Sequence, residues 1–218
     1  MKKIIVILAK SAKAGNFCVA GIELGSNRWI RPVTSDDEIQ GAVPAAALTY
    51  ADKTEVQPLD LVQLEFTDKV AGEIQPENFY FAGTTWKKFG HWSFSDFEKY
   101  CGLDRTDFIF YDDSRRLEPA SLSSFTRRQS LLILPIENIS LKAERFDDGV
   151  KFRASFDYGG TRYEDFAVGD IALREKFSGR GVGEFFVEKS AAATFSLTNP
   201  FKDGRCYKVL AQLWSHSV

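Results

Sequence analysis

The sequence predicts a mainly β protein with a few short helices, and three observations carry that reading. Aromatic and β-branched residues dominate its apolar positions, with 19 Phe, 7 Tyr and 4 Trp, and these side chains suit a pleated, half-buried surface. Both halves divide into short apolar runs separated by turn signals about every eight to twelve residues, the spacing of small barrels or sandwiches. Helix signals are sparse, and the best set lies between Ser93 and Cys101.

The opening run from Ile4 to Ala9 is apolar, bounded by charge, and too short to cross a membrane or act as a leader, so it reads as a buried strand. A second strand is expected from Phe17 to Leu24. Gly25-Ser26-Asn27 then turns the chain into Arg28-Trp29-Ile30-Arg31, and Pro32 ends that third strand or places it on an edge. Residues 36–56 are small and polar, with a helical turn at Ala45-Ala46-Ala47. Leu61, Val62, Leu64 and Phe66 mark another strand, and residues 75–90 read as an ordered aromatic loop. Ser93 or Ser95 can cap the helix that follows, Asp96 and Glu98 suit its first turn, and Gly102 stops it. In the second half, strands are expected at Leu131–Leu134 and from Ile139 to Phe146. Asp147-Asp148-Gly149 turns into a run whose alternation, Val150, Phe152, Ala154, Phe156, has a period of two. Tyr158-Gly159-Gly160-Thr161 turns again into Arg162–Val168, and residues 184–198 and 205–214 complete the set.

Residues 112–130 are rich in Asp, Ser and Arg around Pro119, the composition of a boundary. The expected division is a first unit over 1–115, a connecting segment over 116–127 and a second unit over 128–218.

The 28 basic and 30 acidic residues leave a net charge of −2. That excludes a broadly basic coat but not a local cationic surface. Cys18, Cys101 and Cys206 are odd in number, widely spaced and without a Cys-x-x-Cys. They fit a reducing cytoplasm and offer no metal site. No membrane span is expected.

Catalytic patterns are missing. The two histidines, His91 and His216, have no metal-pair spacing, and no Gly-x-Ser-x-Gly elbow exists. Phe177-Ser178-Gly179-Arg180-Gly181-Val182-Gly183 lacks the Gly-Lys-Ser/Thr ending and following helix of a phosphate loop, and reads as a glycine hairpin. Asp36-Asp37, Asp112-Asp113 and Asp147-Asp148 read as solvated turn residues. No catalytic residue, metal or cofactor is expected.

The cations near the N-terminus point to binding instead. Lys10, Lys13, Arg28 and Arg31 surround Trp29. On a strand, Trp29 and Arg31 share one face, and an indole beside a guanidinium suits base stacking with phosphate neutralisation. A Trp29 packed in the core with solvated cations at its rim is the competing reading. Arg127-Arg128 and Lys208 would extend a basic track.

Three blocks carry a wider resemblance: Ile4-Ile5-Val6-Ile7-Leu8-Ala9-Lys10-Ser11 with Lys13, Cys18-Val19-Ala20-Gly21-Ile22-Glu23, and Arg28-Trp29-Ile30-Arg31-Pro32-Val33. Ser196-Leu197-Thr198-Asn199-Pro200-Phe201 and Cys206-Tyr207-Lys208-Val209-Leu210-Ala211 continue it near the end. Together they resemble the dual OB-containing domain family. The resemblance implies two small OB-like β-barrels in tandem, in prokaryotic proteins tied to nucleic-acid processing or defence. It brings no catalytic mechanism.

The expected function is therefore non-catalytic binding, of single-stranded nucleic acid through Lys10, Lys13, Arg28, Trp29, Arg31 and Lys208. A protein-interaction or nucleotide-sensing module is the alternative, and a hydrolase or nuclease with an unrecognised site the second. A salt-sensitive complex with a single strand separates the first from the others.

Overall fold

The computed structural model describes residues 1–72, 74–122, 128–147 and 149–215. The chain folds as two compact units, Met1–Gly72 with Pro76–Gly102, and Glu73–Gln75 with Leu103–Val218.

The first unit is built on β1 (Lys2–Lys13), β2 (Asn16–Glu23), β3 (Trp29–Val33), β4 (Asp60–Lys69) and β5 (Asn78–Phe81). These strands pair in the order β1-β2-β3-β5-β4, and β4 returns to β1, which closes a five-stranded barrel. Every pair in the ring is antiparallel except β3 with β5. β1 is long and bulged between Ile7 and Ala9; Lys2–Val6 pair with β4 on one edge, and pairing with β2 on the other edge runs from Ile5 to Lys13. A 3-10 turn spans Ala45–Leu48, and β6 (Lys87–His91) adds to β4 outside the ring. α1 (Phe94–Tyr100) follows, and Ser93 and Asp96 form a reciprocal capping box at its start. The core holds Ile5, Ile7, Val19, Ile30, Val62, Leu64, Phe66 and Trp86.

Gly21 sits where β1 and β2 come closest. A Cβ there would lie 2.1 Å from the Val6 carbonyl oxygen. Gly21→Ala is expected to destabilise the barrel by about 1–3 kcal/mol through forced strand separation, read as lost hydrogen-exchange protection at β1 and β2 amides.

The second unit opens with β7 (Arg116–Leu117) and the one-turn α2 (Pro119–Leu122). Its barrel follows: β8 (Leu131–Phe146), β9 (Gly149–Tyr158), β10 (Thr161–Val168), β11 (Gly183–Leu197) and β12 (Cys206–Trp214). The ring runs β8-β9-β10-β12-β11 and back to β8, with β10 and β12 the one parallel pair among its members. Strand for strand this is the order of the first ring. α3 (Ile171–Ser178) lies between its third and fourth strands, capped by the Asp170 side chain on the Leu173 N–H. The core centres on Phe156, Tyr163, Phe166 and Phe195, whose rings meet at centroid distances of 5.1 to 6.1 Å.

Several elements depart from the sequence reading. Residues 75–90 carry β5 and β6, two strands where the sequence suggests a loop. The two runs expected over 131–146 form one strand that crosses Pro135 and a left-handed Asn138, φ 49°. The glycine-rich stretch after Phe177 links α3 to β11 and so joins a helix to a strand, not two strands of a hairpin. Ile109, Phe110 and Leu117 pack into the second core, so residues 103–115 group with that unit. Arg127, Asp148 and His216 lie outside the described residues.

Candidate functional site

In the first unit, two of the cations flagged by the sequence, Lys10 and Arg31, meet partners within the unit. Lys10 donates from Nζ to Glu55 Oε2 at 3.1 Å and to the Val56 carbonyl at 3.0 Å, and lies 5.0 Å from the Phe17 ring centroid. Arg31 is 1% exposed, and its Nη1 donates to Asn78 Oδ1 across the parallel β3–β5 pair. Lys13 is half-buried; burial, aided by the Arg31 charge and opposed by Cys18, holds its ammonium below the usual lysine range. The Trp29 indole is half-buried, and its Nε1 finds no acceptor among the described residues. Of these five side chains, Arg28 is the exposed one. Alternation does place Trp29 and Arg31 on a common face, where Arg31 is buried and Trp29 is half-buried.

Lys208 belongs to the second unit and is also interior. Its side chain is 0% exposed, and Nζ donates to the Asp112 carbonyl at 2.7 Å and to Asp112 Oδ1 at 2.8 Å. Burial lowers its pKa, and Asp112 works against that shift. The same carboxylate oxygen accepts from the Ser114 N–H and hydroxyl, and the Lys208 N–H donates to the Arg115 carbonyl. The buried ammonium thus fastens the turn that presents Arg115.

Arg115 opens onto a cavity of about 420 Å³ on the outer face of the second barrel. Buried residues alternate with more exposed ones from Phe152 to Phe156 in β9, from Phe166 to Val168 in β10 and from Cys206 to Leu210 in β12, and the residues between them face outward. Arg153, Ala167 and Val209 form one cross-strand row. Small Ala167 and Val209 make the floor, with Arg153 beside them. Where the first barrel fills its parallel pair with Arg31, the second leaves room.

The far wall comes from the β11–β12 loop. Phe201 is 65% exposed and meets Tyr207 edge to face at 6.3 Å, while the Tyr207 hydroxyl donates to Asp203 at 2.6 Å. Arg115 reaches Asp165 at 3.4 Å. Arg153 is half-buried and makes no ion pair among the described residues. Two positions away on β9, Lys151 also faces outward, with Nζ 4.8 Å from the Phe146 ring centroid. The face thus carries a row of cations with an aromatic ring at each end. The alternation of Val150, Phe152, Ala154 and Phe156 already implied outward Lys151 and Arg153; what it lacked was the floor supplied by β10 and β12.

A second cavity, of about 500 Å³, lies in the first unit among Leu24, Gly25, Asn27, Trp92, Tyr100 and Cys101. Its lining has no charged side chain, in contrast to the groove of the second barrel.

His91 pairs with a buried carboxylate, Nδ1 to Asp60 Oδ1 at 3.0 Å. Asp60 also accepts from Lys88, Tyr50 and the Gln57 N–H, which makes it a structural hub, and His91 has no other hydrogen-bond partner among the described residues. Among the described residues no group of His, Cys, Asp and Glu could hold a metal ion, and no helix is long and apolar enough to cross a membrane.

Two closed five-stranded barrels of one strand order, the second with an aromatic and cationic groove, define a tandem OB-fold protein, a class that fits a binding module. The chain belongs to the dual OB-containing domain family, whose model matches residues 3–213. No curated protein and no solved structure matches it.

Proposed function

We propose that the chain binds single-stranded nucleic acid along the outer face of β9, β10 and β12. The observation that carries this reading is Arg153, a half-buried guanidinium without an ion pair among the described residues, on a cavity that the exposed Phe201 also lines. A phosphate on Arg153 leaves a base within reach of an aromatic face, the pairing on which single-strand binders depend. OB barrels use this face and the loops beside it. Lys151 and Phe146 continue the track toward the β8–β9 turn. The overall charge of −2 is compatible with binding because the cations act locally. In the first unit, Arg28 beside Trp29 is a separate candidate contact.

Fluorescence anisotropy with a short labelled oligothymidylate tests the proposal. Phe201→Ala is expected to weaken binding by about 1–3 kcal/mol. Arg153→Ala is expected to flatten the plot of log affinity against log salt by about 0.7, one phosphate contact on a single strand. Unchanged binding in both variants removes this face. The cavity also has the volume of an ordinary small-ligand pocket; competition by free thymidine monophosphate at the same site would favour a nucleotide sensor.

A further inference from the structure

The two arginines of the groove differ in one respect. Arg153 has no carboxylate partner among the described residues, whereas Arg115 is held by Asp165 through a single contact of 3.4 Å. Both partners are about half exposed, 45% and 53%. The contact is long for a hydrogen bond, and exposed pairs of this kind are weak. A phosphate offers the guanidinium two oxygens in a fork where this carboxylate supplies one contact. Asp165 and Arg115 both line the cavity, so a bound phosphate and the carboxylate would seek the same cation.

We propose that Asp165 is a built-in competitor for the ligand's phosphate, occupying Arg115 until a phosphate displaces it. This rests on the nucleic-acid reading of the groove and adds its regulation. Such a counter-ion admits ligands that bring a phosphate and penalises those whose charge is no better than a carboxylate. It also leaves Arg153 to make the first contact and Arg115 the second.

Asp165→Asn is a clean test. The backbone there is left-handed, φ 60°, a conformation that Asn tolerates as well as Asp does. The variant removes the charge and keeps the side-chain shape. It is expected to bind the labelled oligothymidylate about 2–5-fold more tightly at low salt and to steepen the salt dependence by up to about 0.7. In an Arg115→Ala background the same substitution is expected to give no gain, because the competition acts through that cation. No gain in the parent chain, or an equal gain in both backgrounds, overturns the proposal while leaving the groove intact as a binding face. Loss of affinity in Arg153→Ala reports on the face independently, and a parent chain that binds neither oligothymidylate nor oligouridylate overturns both.

Discussion

Asp60→Ala is expected to cost the first barrel about 3–5 kcal/mol, the range for stripping one partner from a buried charged cluster. The carboxylate is 0% exposed and makes four contacts: Lys88 at 2.6 Å, Tyr50 hydroxyl at 2.8 Å, the Gln57 N–H at 2.9 Å and His91 at 3.0 Å. Lys88 and His91 reach solvent and can be rehydrated. The buried Tyr50 hydroxyl is fixed against the carboxylate, and that donor left unpaired in the interior costs roughly 1–3 kcal/mol. Because the chain has two units, a single unfolding curve would mix them. Hydrogen exchange at β1 and β4 amides is the measurement, with loss of protection there and retention in β8 and β11.

The same carboxylate makes the first barrel acid-labile. Burial alone would push the Asp60 pKa up, but the hydrogen bonds from Lys88, Gln57, His91 and Tyr50 outweigh it and hold the group below the usual carboxylate range. A depressed folded pKa means that the unfolded chain takes up the proton first. The stabilisation is therefore complete above the ordinary Asp pKa of about 3.9 and is lost as pH falls through the lower folded value. Exchange protection of β4 against pH should show that acid limb in the parent chain and lose it in Asp60→Asn.

Much of the fold was legible because it depends on local rules. Period-two alternation located β9, the capping pair of Ser93 and Asp96 located α1, and Gly159-Gly160 located the β9–β10 turn. α3 was hidden although Asp170 and Gly179 bracket it, because the glycines that follow Phe177 are the stronger local signal and mark a turn. β5 and β6 are four and five residues long and depend on partners far away in sequence, so their own residues carry little signal.

The candidate site was less legible for a related reason. Alternation tells which side chains share a face of a strand but not whether that face is covered. Arg31 and Lys208 stand in cation-rich motifs, yet both are interior, each held by a partner more than forty residues away in sequence. Arg153 and Phe201 come together only when β9, β10 and β12 close the ring. A motif can mark a side chain that builds a site as readily as one that touches a ligand, and Lys208, which lines the groove and also fastens the turn that presents Arg115, shows the building role.

That distinction yields the second large effect. Asp112→Ala is expected to cost the second barrel about 3–5 kcal/mol, because it leaves the Lys208 ammonium with 0% side-chain exposure and no counter-charge at 2.8 Å. The reverse truncation, Lys208→Met, should be much milder: Asp112 is 45% exposed and can be hydrated, and an apolar chain suits the interior. The double variant should then recover most of what Asp112→Ala loses, a coupling that a merely damaged turn would not produce. pH gives an independent check. Burial already depresses the lysine pKa, and without Asp112 it falls further. The unfolded chain then holds the extra proton between that lowered value and the ordinary lysine pKa of about 10.4, so the stability of Asp112→Ala should rise with pH across that window. Denaturation midpoints from neutral to alkaline pH, with exchange protection at β8 and β11 to assign the unit, measure it. Both single variants should also weaken oligothymidylate binding through Arg115, whose turn Asp112 and Lys208 hold in place.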